Sequence, residues 1–255
     1  MRRFIVYVLV LVFTATGLSY AGQDTLTQIS TIDALMTGIY DGETTLGALK
    51  GKGDFGVGTY NSLDGEMVLV DGEFYRINGR GAVERPGMET KTPFAAVTYF
   101  EADRTVILDK DMDFAGVANV ADRMLPTLNM FYAIKISGVF RIVKTRSVPA
   151  QEKPYKPLKE VVKTQPLFTL KNVKGTIVGF RCPPYVKGVN VPGYHLHFIT
   201  ADRSAGGHVL DFAVEKATLE IDDTTEFTLI IPSDRDFYQA DLTPDREKDL
   251  KAVEK

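Results

Sequence analysis

The chain has 255 residues, 44% hydrophobic and 25% charged, which excludes a disordered or collagen-like polymer and allows one large or two small domains. A formal net charge of −3 argues against a phosphate-backbone partner, so no nucleic acid is expected. One cysteine, Cys182, excludes an internal disulfide and any multi-cysteine zinc module, and a chain this long can bury a core without such staples.

In chain order, Arg2 and Arg3 precede an unbroken apolar run over residues 4–13, and Ser19 and Ala21 have the small-residue spacing that a signal peptidase reads. Residues 1–21 are therefore expected to be a leader removed before Gly22. The run is short for a membrane span and no lipobox cysteine follows it, so the mature chain is expected to be exported, periplasmic or secreted, with no stable membrane anchor. Residues 29–40 read as a short helix capped by Ser30 or Thr31. Stretches 55–60, 67–71 and 74–78 alternate like strands, separated by the turn signals Asp64-Gly65 and Asp71-Gly72. Further strands are expected at 94–100 and 105–108, a helix at 113–125 ending before Pro126, and a strand at 130–143 interrupted by Gly138.

Residues 147–166 carry Pro149, Pro154, Pro157 and Pro166 among several lysines, a linker-like composition. They place the expected division between an N-terminal unit, 22–155, and a C-terminal unit, 156–255. Strands follow near 174–181, 193–200, 207–213, 216–221 and 225–231. Thr243-Pro244 reads as N-cap and first residue of a charged terminal helix. The whole pattern is α+β with much mixed sheet. Gly51-Lys52-Gly53-Asp54-Phe55-Gly56 satisfies GxGxxG, but no buried strand precedes it and no helix follows, so it reads as a flexible lead-in to a strand. Asp109-Lys110-Asp111-Met112-Asp113 opens like a calcium loop, yet Phe114 stands where glycine is needed, so it reads as a solvated acidic turn.

All three histidines lie within fourteen residues: His195 and His197 in Gly193-Tyr194-His195-Leu196-His197-Phe198, then His208 after Gly206-Gly207. Residues two apart on a strand share a face, so His195 and His197 point together while Tyr194, Leu196 and Phe198 point away. If the hairpin centres between Asp202 and Arg203, His208 falls opposite His197 on that same face; a slip of one residue would reverse it. Three imidazoles converging at strand spacing suit a Zn2+ site, and three histidines with an open fourth position are a catalytic pattern. The rival reading is a structural zinc site in which Cys182 joins the three histidines as a fourth ligand.

These motifs are familiar. The histidine segment, with Asp202 and Gly207-His208-Val209-Leu210-Asp211, resembles acetolactate decarboxylases. So do Asp54-Phe55-Gly56-Val57-Gly58-Thr59, Leu63-Asp64-Gly65-Glu66 and Asp71-Gly72-Glu73-Phe74-Tyr75, and Lys144-Thr145-Arg146-Ser147-Val148-Pro149 is similar to that family's arginine segment. The resemblance spans the chain from about Gln28 onward. It implies a zinc enzyme that converts 2-acetolactate to acetoin and carbon dioxide. His195, His197 and His208 would hold the metal. Glu66 and Glu254 would be the active-site carboxylates, Arg146 would hold the substrate, and Thr59 would offer a pocket hydroxyl. The resemblance also implies a large mixed-sheet domain, a smaller sheet domain carrying the metal, and a homodimer.

The chemistry agrees with such a set. Loss of carbon dioxide from a β-keto acid sends electron density to the ketone oxygen, which a Lewis-acid metal can stabilise. A carboxylic acid must then protonate the new carbanion carbon, and burial beside a second carboxylate would keep it protonated near neutral pH. Arg146 suits a forked pair with a carboxylate, although on residues alone Arg141 and Lys144 compete for that role. The enzyme rival is a zinc hydrolase in which Glu66 activates water.

Overall fold

In a computed structural model, residues 24–254 are described; the expected leader lies outside them. Two large sheets face each other. The first has seven strands in the order Glu226–Ile230, Thr25–Ile29, Ala95–Thr98, Phe55–Thr59, Glu66–Val70, Glu73–Ile77, Val83–Glu84. Its neighbours are antiparallel except Thr25–Ile29 with Glu226–Ile230, which run parallel, so the sheet is mixed. The second is antiparallel, with strands Met112–Asp113, Gly206–Thr224, Phe131–Arg146, Leu167–Cys182 and Gly193–Thr200 in order, and Arg104–Leu108 also beside Gly206–Thr224. The start of Gly206–Thr224 pairs with Gly193–Thr200 as well, so this sheet curls back on itself. No helix among the described residues is long and apolar enough to cross a membrane.

Leu26, Phe55, Val57, Val68, Val70 and Ala96 of the first sheet interlock with Phe131, Ala133, Val178, Phe180 and Ile199 of the second. The outer face of the first sheet, with Met67, Leu69 and Val97, is covered by Leu46 and Leu49 of helix Leu46–Lys50. Both faces of Glu66–Val70 are thus covered, and every residue in it is buried. Residues of alternating parity face opposite layers, so Glu66 points with Val68 and Val70 toward the second sheet. A third apolar cluster joins Ile32, Leu35, Leu63, Phe94, Val148, Leu158, Leu250 and Val253 at one end of the interface.

The hairpin over 67–78 is as expected: Asp71 and Gly72 both have positive φ (53° and 75°), the conformation a two-residue primed turn requires. The expected helix at 113–125 is observed as Phe114–Met124, with the Asp113 side chain accepting from Gly116 N at 2.8 Å. Other readings need correction. Residues 25–29 form a strand, and the helix runs only over Ile32–Met36, capped by Thr31; Ser30 sits at φ +60° between them. The strand is made by pairing with distant segments on both its edges, which no local window registers. The strands expected at 207–213 and 216–221 are one, Gly206–Thr224, because Phe131–Arg146 pairs with it throughout and absorbs the irregularity in three bulges. Gly138 interrupts nothing for the same reason. The terminal helix begins at Glu247: Thr243 N and Oγ1 both donate to Asp241 Oδ1, which turns the chain before a helix can start. Strands Phe131–Arg146 and Leu167–Cys182 pair from Tyr132↔Arg181 to Arg146↔Leu167, so one sheet runs across the expected division at 155/156.

The crossing point of the second sheet is narrow. His208 is paired with His197 on one side and Arg146 on the other. A Cβ on Gly206 would lie 2.2 Å from Phe198 O, and one on Gly207 would lie 2.4 Å from Arg146 O at a φ of +135°. Two glycines therefore let the strand enter between its neighbours and deliver His208. Gly207→Ala should strain the backbone, by roughly 1–3 kcal/mol before the overlap is counted. Thermal unfolding of the metal-free protein checks this, and an unchanged midpoint would contradict it.

Candidate metal centre and active site

His195, His197 and His208 converge as the hairpin register requires, with ring centroids 5.2–5.3 Å apart and ligand atoms within 4.8 Å of one another. All three are buried, and on the opposite face of their strand Leu196 and Phe198 enter the second sheet's own core. His197 Nδ1 lies 2.7 Å from Met67 O. A carbonyl only accepts, so Nδ1 carries the proton and Nε2 presents a lone pair. That Nε2 is buried with no hydrogen-bond partner. An unmade bond of this kind costs about 1–3 kcal/mol, which coordination to a metal would offset. Burial, together with the Arg146 charge, lowers the pKa of His195 to about 3 and those of His197 and His208 well below the ordinary value. Three neutral imidazoles are a donor set for a divalent metal ion, and these residues fit one.

Around the trio stand two acids and an arginine. Glu66 Oε2 is 3.6 Å from His197 Nε2, and Glu254 Oε2 is 3.6 Å from His208 Nε2. Arg146, 4% exposed, ends its strand with Nη2 3.8 Å from Glu254 Oε1 and Nη1 donating to Gln165 Oε1 at 3.1 Å. Burial raises both carboxyls to about 7; Arg146 opposes this, and Glu254 adds to the rise at Glu66. Glu254 follows helix Glu247–Val253, which Leu250 and Val253 anchor in the terminal apolar cluster. Ion pairs of Lys187 with Asp245 (2.8 Å) and Glu247 (2.9 Å), and of Lys159 with Asp249 (2.9 Å), hold the same segment.

These groups line a pocket whose other wall is Ile32, Leu35, Leu63, Phe94, Val148 and Leu158. Thr59 also lines it, but its hydroxyl already donates to Gly65 O at 2.7 Å, so only a lone pair is free for a ligand. Cys182 does not join the cluster. It is buried beside Val178, Phe180 and Val186, where burial pushes its thiol up to about 12. Its place in that apolar cluster, apart from the three converging histidines, removes the alternative of a structural site with a cysteine as fourth ligand. Sequence reasoning did not single out Met67, Gln165 or the apolar wall. A backbone carbonyl leaves no sequence signal, and the wall residues carry the same periodicity as any core.

Known proteins identify the class. A curated protein of Methanosarcina mazei named alpha-acetolactate decarboxylase is 51% identical over 238 residues, covering 93% of this chain and 83% of its own length. A Bacillus subtilis strain 168 protein of the same name is 45% identical over 228 residues, 89% of each chain. The crystal structure of alpha-acetolactate decarboxylase from that strain superimposes with a TM-score of 0.89 at 44% identity, covering 90% of this chain and 99% of the other. The class is thus a decarboxylase, a carbon–carbon lyase with a sheet-dominated α+β fold. The family model for alpha-acetolactate decarboxylase matches residues 26–244, and the chain belongs to that family. Glu254 lies beyond the matched region, and its place beside His208 is visible only in the fold.

Because burial raises the Glu66 carboxyl to about 7 from 4.5, its protonated form favours the folded state, and that contribution, full below 4.5, is lost as pH rises from there through about 7. Glu66→Gln in the metal-free protein should therefore raise the thermal midpoint at pH 8 and change it less at pH 5. Melting curves at the two pH values check this, and a lower midpoint at pH 8 would contradict it.

Proposed function

We propose that the protein decarboxylates 2-acetolactate to acetoin and carbon dioxide, with Zn2+ held by His195, His197 and His208. The observation that carries this reading is one pocket in which two buried acids and a buried arginine flank three neutral imidazoles. A bound zinc ion supplies Lewis-acid polarisation of a ketone oxygen. Arg146 receives the substrate carboxylate on its Nε and Nη2 edge, of which Nε has no partner in the fold. The apolar wall strips water from that carboxylate, which favours its departure as neutral carbon dioxide. The carbon–carbon bond breaks, and its electron pair stays with the remaining fragment. Glu66, protonated near neutral pH, then gives its proton to the carbon that lost the carboxylate. Glu254 stands nearer Arg146 and takes the ionised role, and its charge helps keep Glu66 protonated. Delivery from one fixed side would make acetoin a single enantiomer. Family membership favours this lyase chemistry over the hydrolase in which Glu66 would activate water. Export through a cleaved leader at 1–21 and assembly as a homodimer belong to the same proposal, the first on the N-terminal sequence pattern and the second on the family resemblance.

Purified protein given racemic 2-acetolactate should release acetoin, lose the activity to a chelator and regain it with zinc. A zinc-loaded protein that makes no acetoin would overturn the reading. Glu66→Gln should keep zinc and lose roughly 10²–10⁴-fold in kcat, the usual weight of a general acid. Glu254→Gln, or removal of the residues after Val253, should impair turnover more than thermal stability; full activity in either would show that Glu254 is dispensable.

A further inference from the structure

The guanidinium of Arg146 is buried, yet its donors are unevenly used. Nη1 donates to Gln165 Oε1 at 3.1 Å, Nη2 has only Glu254 at 3.8 Å, and Nε has no partner. The one full hydrogen bond thus falls on the corner away from the Nε/Nη2 edge, which carries none. Gln165 reaches this corner through the topology. Arg146 ends one strand, Leu167 opens its antiparallel partner, and the two are paired, so the intervening segment leaves at Arg146 and returns beside it. A 3-10 turn, Val162–Thr164, precedes Gln165, and Ser147 N donates to Pro166 O at 3.4 Å just after it.

The choice of an amide matters. Asp or Glu at this position would fix the guanidinium as well and would also neutralise it. Gln accepts the hydrogen bond without adding a second negative charge to that of Glu254, so the arginine is not fully neutralised before a carboxylate arrives. Resting on the proposed role of Arg146 as carboxylate anchor, we infer that Gln165 is a positioning residue: it aims the open edge of Arg146 into the pocket and preserves its charge for the substrate.

The test uses the zinc-loaded full chain and three variants, with kcat, KM and thermal midpoint measured for each. Gln165→Glu keeps an acceptor for Nη1, so its midpoint should stay at or above that of the parent while KM for 2-acetolactate rises about tenfold. Gln165→Leu removes the acceptor, and kcat/KM should fall at least about tenfold as the scissile bond loses its alignment. A residue that only supported the fold would show the reverse, with Gln165→Glu kinetically like the parent and Gln165→Leu merely less stable. That result, in a protein where Arg146→Gln does raise KM, overturns the role of Gln165 and leaves the anchor intact. If Arg146→Gln leaves KM unchanged, the anchor itself fails and this inference with it.

Discussion

The hydrogen bond between His197 Nδ1 and the Met67 carbonyl, 2.7 Å long, is the contact on which the site depends. It joins strand Glu66–Val70 of one sheet to the strand of the other that carries His195 and His197. It fixes the His197 tautomer, and it places the neighbouring Glu66 carboxyl beside His197 Nε2. Without it the sheets would still share an apolar interface, but nothing would define which nitrogen faces the pocket. The bond is between a side chain and a backbone carbonyl, so it demands a particular backbone position and no particular residue type at 67.

The second constraint is charge. Within a few ångströms the fold buries two carboxyls, three imidazoles and one guanidinium. Desolvation drives the acids toward their protonated form and the imidazoles toward their neutral form, and Arg146 opposes the shift at both acids. Buried polar groups without hydrogen-bond partners are costly, and Arg146 Nε and His197 Nε2 are two of them. A divalent metal and an anionic substrate would give both a partner.

Much of this was legible in the sequence because it follows from period-two geometry. His195 and His197 had to share a face, and the hairpin centred between Asp202 and Arg203 brings His208 opposite His197, as the register shows. What escaped were features set by distant partners. Thr25–Ile29 is a strand because two other strands flank it, and Gly206–Thr224 is one strand because Phe131–Arg146 pairs along it. The proline-rich segment 147–166 has a linker's composition but connects two neighbours within one sheet, and it carries Val148, Leu158 and Gln165 to the site.

The sequence by itself determined the α+β pattern and the convergence of the three histidines, and its resemblance to a family nominated Glu66, Arg146 and Glu254, which line one pocket in the fold. Those depend on alternation, turn chemistry and residue identity, all of which are local. The tertiary structure decided that Cys182 belongs to the apolar core, that Glu254 comes beside His208 from the far end of the chain, and that Gln165 and the Met67 carbonyl hold the site's geometry. Each of these is a distance between residues remote in sequence, fixed by how sheets stack and where a loop returns, and local preference carries no information about such distances.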